Sequence, residues 1–115
     1  MTRLDLVTRL VQCQGDIEAL LTKLEDFPFD SEVPLVTLDA SHITSVLERF
    51  LSGDKSAANV KRWAGIVAGR DDVGYAEADK VSIADALFVL AIPDINGELT
   101  PESAGDLLRQ LRHEV

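Results

Sequence analysis

The sequence predicts an all-α fold, in which residues 1–115 form a single domain of about five helices with a proline-containing connecting segment at 27–38. Apolar residues recur at spacings of three and four along most of the chain, which is the period of an amphipathic helix. All four prolines fall between these periodic stretches or at their starts, where they do not break a helix. A chain of 115 residues with 46% hydrophobic residues is also large enough to bury a core.

The N-terminal region is predicted to be helical from its apolar stripe. The stripe consists of Leu4, Val7, Leu10, Val11, Ile17, Leu20, Leu21 and Leu24. Gly15 interrupts it, and Asp16 is suited to cap a new helix, so the region is either one kinked helix or two helices. It ends near Asp26, because Pro28 disfavours a helical residue before it. Cys13 is expected inside the helix as a buried or half-buried thiol.

The connecting segment at 27–38 contains two prolines and no helical period. Its apolar side chains are expected to pack onto the core. They are Phe27, Phe29, Val33, Leu35 and Val36. The run Val33–Leu38 is the best candidate for a strand, but Pro34 argues against it because proline cannot donate to a β ladder. No strand is therefore predicted.

Two helices joined by a short link are predicted in the middle of the chain. Their stripes are Ile43, Val46, Leu47, Phe50 and Leu51 in the first helix, and Val60, Trp63, Ala64 and Val67 in the second. Asp39 or Ser41 caps the first, and Gly53 is placed for a left-handed C-terminal residue. Ser56 caps the second and Gly69 ends it. The short link predicts an antiparallel or steeply crossed hairpin, with Trp63 as a core anchor.

Two more helices are predicted in the C-terminal third. The first runs over about 76–91 and ends before Pro93. Its predicted stripe is Val81, Ala84, Leu87, Phe88 and Ala91. The second begins at Thr100 and Pro101, a capping residue followed by a proline in the first helical position. Its stripe is Ala104, Leu107, Leu108 and Leu111, with Arg109, Arg112 and His113 near its end.

Metal chemistry has little support in the sequence. His42, His113 and Cys13 are too few and too scattered to form a zinc site. The segment 92–103 has the glycine of a calcium-binding loop, but Ile92 and Ser103 stand where the two main carboxylates belong. We therefore expect an Asn-Gly turn that leads into a capped helix, with no metal and no cofactor.

Catalysis is equally unsupported, so the sequence predicts that the protein is not an enzyme. No basic neighbour is placed to lower the pKa of Cys13, and no glycine-rich phosphate loop occurs. The tandem Asp71 and Asp72 are read as solvated residues at a helix end rather than as a catalytic pair. A single cysteine and the absence of a signal-like N-terminus or a long apolar run predict a cytoplasmic protein.

The charge of the chain constrains its partners. Eleven basic and twenty acidic residues give a net charge of −9. Such a chain is repelled by nucleic acid and by anionic membrane surfaces, which both require clustered Lys and Arg. A basic protein is the partner that this charge favours, because complementary charge speeds encounter.

Acidic residues are concentrated at 71–106, where nine acids accompany one base, Lys80. This region is the predicted docking face for a partner. Its candidate residues are Asp71, Asp72, Tyr75, Glu77, Asp79, Asp94, Glu98 and Glu102. Tyr75 is suited either to anchor a partner or to seal the edge of the core. The alternative is that these acids only keep the outer faces of the helices soluble.

The segment Leu47–Ala57 (LERFLSGDKSA) resembles the helix–Gly–Asp/Glu–x–Ser hairpin of colicin-type immunity proteins, particularly the colicin D group. Leu87-Phe88, the following Asp-containing loop and the final helix also occur in a similar order. The resemblance implies a small helical bacterial protein that neutralises a basic nuclease toxin. A rival hypothesis is a self-associating structural or regulatory protein that forms a homodimer through the N-terminal stripe, Leu4 to Leu24.

Overall fold

The computed structural model describes residues 2–27 and 34–112. It is 67% helical, which confirms the all-α fold class. The helices of the described residues are α1 (Arg3–Val11), α2 (Ile17–Leu24), α3 (Ala40–Leu51), α4 (Ala57–Ala68), α5 (Lys80–Ala91), α6 (Pro93–Asn96) and α7 (Pro101–Leu111). A 3₁₀ turn at Glu77–Asp79 precedes α5, and two short strands, β1 (Val36–Leu38) and β2 (Val73–Tyr75), form a parallel pair. None of these helices is both long and apolar enough to cross a membrane.

The N-terminal region forms two helices, which decides between the two alternatives. Cys13 and Gly15 have positive φ angles of 54° and 71°, so the chain leaves the helical conformation after α1. The Asp16 carboxylate then caps α2 by accepting from the backbone N–H groups of Glu18 and Ala19 at 3.0 and 3.4 Å. The expectation that Cys13 lies inside a helix is therefore wrong, although its side chain is buried as predicted.

The strand pairing corrects the prediction that the chain contains no strand. β1 and β2 run in parallel, with Val36 opposite Val73 and Leu38 opposite Tyr75. Pro34 precedes β1 and is not part of the ladder, so its missing N–H costs no strand hydrogen bond. The prediction failed because the proline lies beside the strand rather than in it.

The connecting segment meets the core only in part. Phe27 and Val36 pack against the core, whereas Leu35 is exposed. Phe29 and Val33 lie outside the described residues.

The caps predicted for α3 and α4 are present. Asp39 accepts from the backbone N–H groups of Ser41 and His42, Gly53 has a φ of 87°, and Ser56 forms a capping box with Asn59. The link between the helices is short, as predicted, but α4 packs mainly along α5 and α3 packs mainly on α7. The short link therefore joins α3 and α4, but each helix packs mainly on a different neighbour.

Trp63 is the core anchor that the sequence predicts. Its side chain is fully buried, and its indole Nε1–H donates a 2.9 Å hydrogen bond to the carbonyl oxygen of Leu10. A buried indole needs such a partner, because an unpaired N–H away from water is costly. This bond ties α4 to α1.

The N-terminal stripe joins the same core. Val7, Leu10 and Val11 are fully buried against the rest of the chain. Leu4, at the start of the stripe, is 50% exposed, so the stripe is only partly enclosed by the core.

The buried face of α5 differs from the predicted one. Its buried residues are Ile83, Ala86, Leu87 and Leu90. Of the predicted stripe, only Leu87 is buried, while Val81 is 74% exposed and Phe88 is 49% exposed. The helix is turned by about a third of a turn from the expected orientation. Only Lys80, Ser82 and Asp85 are polar in α5, so its composition does not distinguish one face from the other.

The final helix matches its prediction. Thr100 caps α7 through Ser103, and Pro101 occupies the first turn. The predicted stripe Ala104, Leu107, Leu108 and Leu111 is buried, and Arg109 lies in the last turn, where a cation suits the helix dipole. His113 lies outside the described residues.

Candidate protein-binding surface

The eight predicted docking residues do not form one continuous surface. Five of them precede α5 and three follow it. Because α5 has twelve residues, its length separates the two groups by about 18 Å. The first group is Asp71, Asp72, Tyr75, Glu77 and Asp79, and the second is Asp94, Glu98 and Glu102.

Asp72 is buried, so its assignment as a docking residue is wrong. Its side chain is 0% exposed. Arg70 donates to both carboxylate oxygens at 2.8 Å, and Arg3 Nε donates to Oδ2 at 3.3 Å. The backbone carbonyl of Asp72 accepts from the N–H groups of Leu35 and Val36 at 2.8 and 3.2 Å. Asp72 therefore joins α1, the end of α4 and the start of β1.

The electrostatics of Asp72 reflect this enclosure. Burial by itself raises the pKa of the carboxyl group, but the hydrogen bonds and charges of Arg70 and Arg3 outweigh burial and hold the pKa below its usual value. The group is thus ionised and neutralised inside the fold. The sequence did not predict the burial of Asp72, because its partner Arg3 lies 69 residues away along the chain.

The other members of the first group are only partly available. Tyr75 packs against the core in β2, and burial raises the pKa of its hydroxyl, which fits the core-sealing alternative. Glu77 is exposed and lies 4.0 Å from the Lys80 ammonium. Asp79 is half-buried, and Asp71 is exposed. At this end of α5, Asp71 and Glu77 are the predicted docking residues whose side chains are exposed.

Two members of the second group, Asp94 and Glu98, line a cleft of about 320 Å³, which we call the α6 cleft. It is lined by Ala57, Ala58, Lys61, Val89, Leu90, Pro93, Asp94, Gly97, Glu98, Leu99 and Ser103. Asp94 and Glu98 are exposed carboxylates beside an apolar floor that includes Leu90 and Leu99. Glu102 is exposed in the first turn of α7, next to Ser103 in sequence.

Local chain geometry builds this cleft. α5 ends at Ala91, and after the single residue Ile92 Pro93 begins α6, because the fixed φ of proline suits a first helical position. Gly97 ends α6 with a φ of 89°, so a short helix stands where the sequence predicted an Asn-Gly turn, and Thr100 then caps α7 as predicted. Asp94 and Glu98 are thereby brought to one opening.

The sequence did not predict the opposite wall of the cleft. That wall is the start of α4, where Ala57 and Ala58 leave space for the cleft and Lys61 adds a cation. A shallower crevice continues along α4 past Gly65 and Ile66. The small residues of α4 are visible in the sequence. Only the packing of α4 along α5, however, shows that they line a cleft.

A second exposed apolar region is the solvent side of α5, which we call the α5 outer face. It consists of Val81, Ala84, Phe88 and Ile92. These positions are spaced three, four and seven apart and lie opposite the buried residues of the helix. Ile95, in α6, is 73% exposed beyond the end of this stripe.

Cys13 and His42, the side chains best suited to catalysis or metal binding, have structural roles in the fold. Burial raises the pKa of the Cys13 thiol, which leaves it a weak nucleophile. His42 Nδ1 accepts from the backbone N–H of Asp39 at 3.0 Å as part of a helix cap. Within residues 2–27 and 34–112, no group of three or more His, Cys, Asp or Glu side chains could hold a metal ion.

Among residues 2–27 and 34–112, the α6 cleft and the α5 outer face are two surfaces on which a binding function can be argued. Comparison with protein-family models, with curated proteins and with solved structures finds no match to the chain.

Proposed function

We propose that this chain is a small acidic protein-binding module whose α6 cleft receives a basic segment of a protein partner. The observation that carries the proposal is the combination of an apolar floor with two exposed carboxylates, Asp94 and Glu98. Concave apolar surfaces with a few placed polar groups are typical of binding sites. The volume of about 320 Å³ is sufficient for a large side chain and its neighbours.

The chemistry of the cleft specifies which side chain would enter it. Lys and Arg have an aliphatic stem and a cationic head. The stem would pack on Leu90 and Leu99, and the head would bind Asp94 and Glu98 through charge-assisted hydrogen bonds. Lys61 on the opposite wall would repel a cation from that side and orient the inserted side chain toward the carboxylates.

Long-range charge supports the same partner. The net charge of −9 attracts a basic protein from a distance and raises the rate of encounter, an effect that salt screens. A basic nuclease is one such partner, because carboxylates can occupy the cationic surface that otherwise binds phosphates.

The resemblance to colicin-type immunity proteins suggests the biological role. Its hairpin, Leu47–Ala57, leads directly into Ala57 and Ala58 at the wall of the α6 cleft. We therefore favour an inhibitory role in which the chain binds and neutralises a basic toxin or nuclease in the cytoplasm.

The proposal can be tested on the protein encoded immediately upstream of this chain. Both proteins would be purified, and their association rate would be measured at low and high salt. We expect binding that weakens with salt, and at least tenfold slower association when Asp94→Lys and Glu98→Lys are combined, because the cleft then repels a cation. Coexpression should also relieve any growth defect that the neighbour causes.

A matched control separates the cleft from the overall charge. Glu25→Lys combined with Asp26→Lys makes the same charge change on exposed residues at the end of α2. This variant should slow association far less than the cleft variant. Equal slowing by the two variants would remove the cleft from the proposal, and a neighbour that does not bind would contradict the inhibitory role.

A further inference from the structure

A polar cavity of about 350 Å³ lies between the loop that follows α1 and one face of α3. It is lined by Gln12, Gln14, Ser41, His42, Ser45 and Arg49. Each of these side chains can donate a hydrogen bond, one of them carries a permanent positive charge, and none is a carboxylate. The lining therefore contrasts with the net charge of −9 of the whole chain.

The helical spacing of α3 brings three of these side chains to one face. Ser45 lies three residues after His42 and four residues before Arg49, so the three side chains are neighbours along the helix. A ligand above Ser45 would therefore have an imidazole on one side and a guanidinium on the other. Gln12 and Gln14 approach the same cavity from the loop after α1.

The Arg49 guanidinium is held in place by the protein itself. Its Nη1 donates to the carbonyl oxygen of Cys13 at 3.0 Å, and its Nη2 donates to that of Gln12 at 2.6 Å. Among the side chains that the structure describes, its Nε is the one buried nitrogen or oxygen with no hydrogen-bond partner. Such a donor costs about 1–3 kcal/mol when it stays unsatisfied. An acceptor atom on a ligand would remove this cost.

His42 supplies a second donor. Its Nδ1 accepts from the backbone N–H of Asp39 at 3.0 Å, which places the ring hydrogen on Nε2. The Asp39 carboxylate accepts from the backbone N–H groups of Ser41 and His42 and from the Ser41 hydroxyl, and it is not part of the cavity lining. The nearby negative charge is thus committed to the start of α3, and the hydrogens of His42 and Arg49 remain for an acceptor.

We propose that this cavity binds a small phosphate-containing molecule, with the phosphate group between His42 and Arg49. The oxygens of a tetrahedral phosphate point in four directions, so they can accept from a guanidinium, an imidazole, a hydroxyl and a carboxamide together. A carboxylate has only two oxygens in one plane and would leave some of these donors unmatched.

The size and charge of the molecule restrict the ligand further. A cavity of about 350 Å³ lies at the small end of the range of small-molecule sites, roughly 300–1,000 Å³, so it admits inorganic phosphate or a phosphomonoester with a few carbon atoms. A long polyanion such as nucleic acid is repelled by the net charge of −9. The inference does not depend on the proposed function, because the cavity shares no residue with the α6 cleft.

The test is a titration of the isotope-labelled full chain with inorganic phosphate, followed by NMR at constant ionic strength. We expect the Arg49 Nε–H signal and the His42 ring signals to shift and to saturate, with a dissociation constant of about 1 mM or below. Sodium chloride at the same ionic strength should not shift them. A phosphate titration without a saturating shift of Arg49 Nε–H up to about 20 mM, repeated with glycerol phosphate, would overturn the inference.

Glycerol phosphate also separates the two sources of the phosphate group. Tighter binding of this monoester than of inorganic phosphate would support an organic phosphate as the ligand, because its carbon atoms then contribute contacts. Tighter binding of inorganic phosphate would support the free ion. Either result supports a phosphate site.

Ser45→Asp is the variant that tests the position of the site. It places a carboxylate beside the bound phosphate and should weaken binding about tenfold or more, because like charges repel. Ser45 is exposed, so thermal unfolding of this variant without phosphate should match that of the wild type. Ser82→Asp is the matched control, since it makes the same change on α5 outside the cavity and should leave the dissociation constant unaltered. Unchanged binding by Ser45→Asp, or equal weakening by both variants, would contradict the assignment.

Discussion

The two ends of α5 use carboxylates in opposite ways. Before the helix, Asp72 is enclosed by Arg70 and Arg3 and is fully buried. After the helix, Asp94 and Glu98 remain exposed beside an apolar cleft. The difference depends on whether arginines can reach the carboxylate, since a buried charge needs charged partners. A run of acids along the chain is therefore not one surface: one end contributes to the fold, and the other stays available for a partner.

Removing the Asp72 carboxylate should have the largest effect on the free energy of unfolding. Asp72→Ala leaves the largely buried Arg70 guanidinium without its anion and removes the Arg3–Asp72 contact, and we expect a loss of about 3 kcal/mol in the free energy of unfolding. The neighbouring Asp71→Ala should change it by no more than about 0.5 kcal/mol, because Asp71 is exposed. Urea unfolding of both variants would measure the difference. Similar losses would show that the buried network does not stabilise the fold.

Acid pH should reveal the same network in the unmodified chain. Because the folded-state pKa of Asp72 is lowered, its contribution is present above the usual carboxyl pKa, near 4, and is lost as the pH falls through the folded-state value. The wild type should therefore lose more stability on acidification than Asp72→Asn, which does not titrate there. Asp5, Glu18 and Asp39 also have lowered pKa values, but they are common to both proteins. Parallel curves from urea unfolding between about pH 6 and pH 3 would contradict this assignment.

The smallest effect on stability is expected at the other end of α5. Asp94→Asn combined with Glu98→Gln should change the free energy of unfolding by less than about 0.5 kcal/mol, because both side chains are exposed. A slight gain is expected, since the substitutions reduce the net charge of −9. Thermal unfolding at low salt would measure it. A loss comparable to that of Asp72→Ala would mean that these carboxylates also support the fold.

Helices α3 and α5 show how far the sequence predicts the fold. Both have twelve residues. The polar residues of α3 leave one apolar stripe, and its buried residues Ile43, Val46 and Leu47 are among those predicted. In α5, apolar residues surround the helix, so the period identifies a helix but not its buried face.

The candidate site was predicted in part for a similar reason. Asp94, Glu98 and Glu102 were predicted as docking residues and all three are exposed, but the sequence did not predict that Asp94 and Glu98 line a cleft. Asp72 was indistinguishable from Asp71 in sequence, because its partner Arg3 is distant along the chain. The opposite wall of the cleft also comes from a distant segment, α4, and no local pattern connects it to α6.

The sequence by itself determined where α2, α3, α4 and α7 lie, which residues are placed to cap them, and that Trp63 is buried. These features depend on interactions within a few residues, so a local pattern records them. Only the tertiary structure decided the orientation of α5, the pairing of β1 with β2, and the burial of Asp72. Each of these depends on contacts between distant segments, whose free energies are set by packing and desolvation rather than by neighbouring residues.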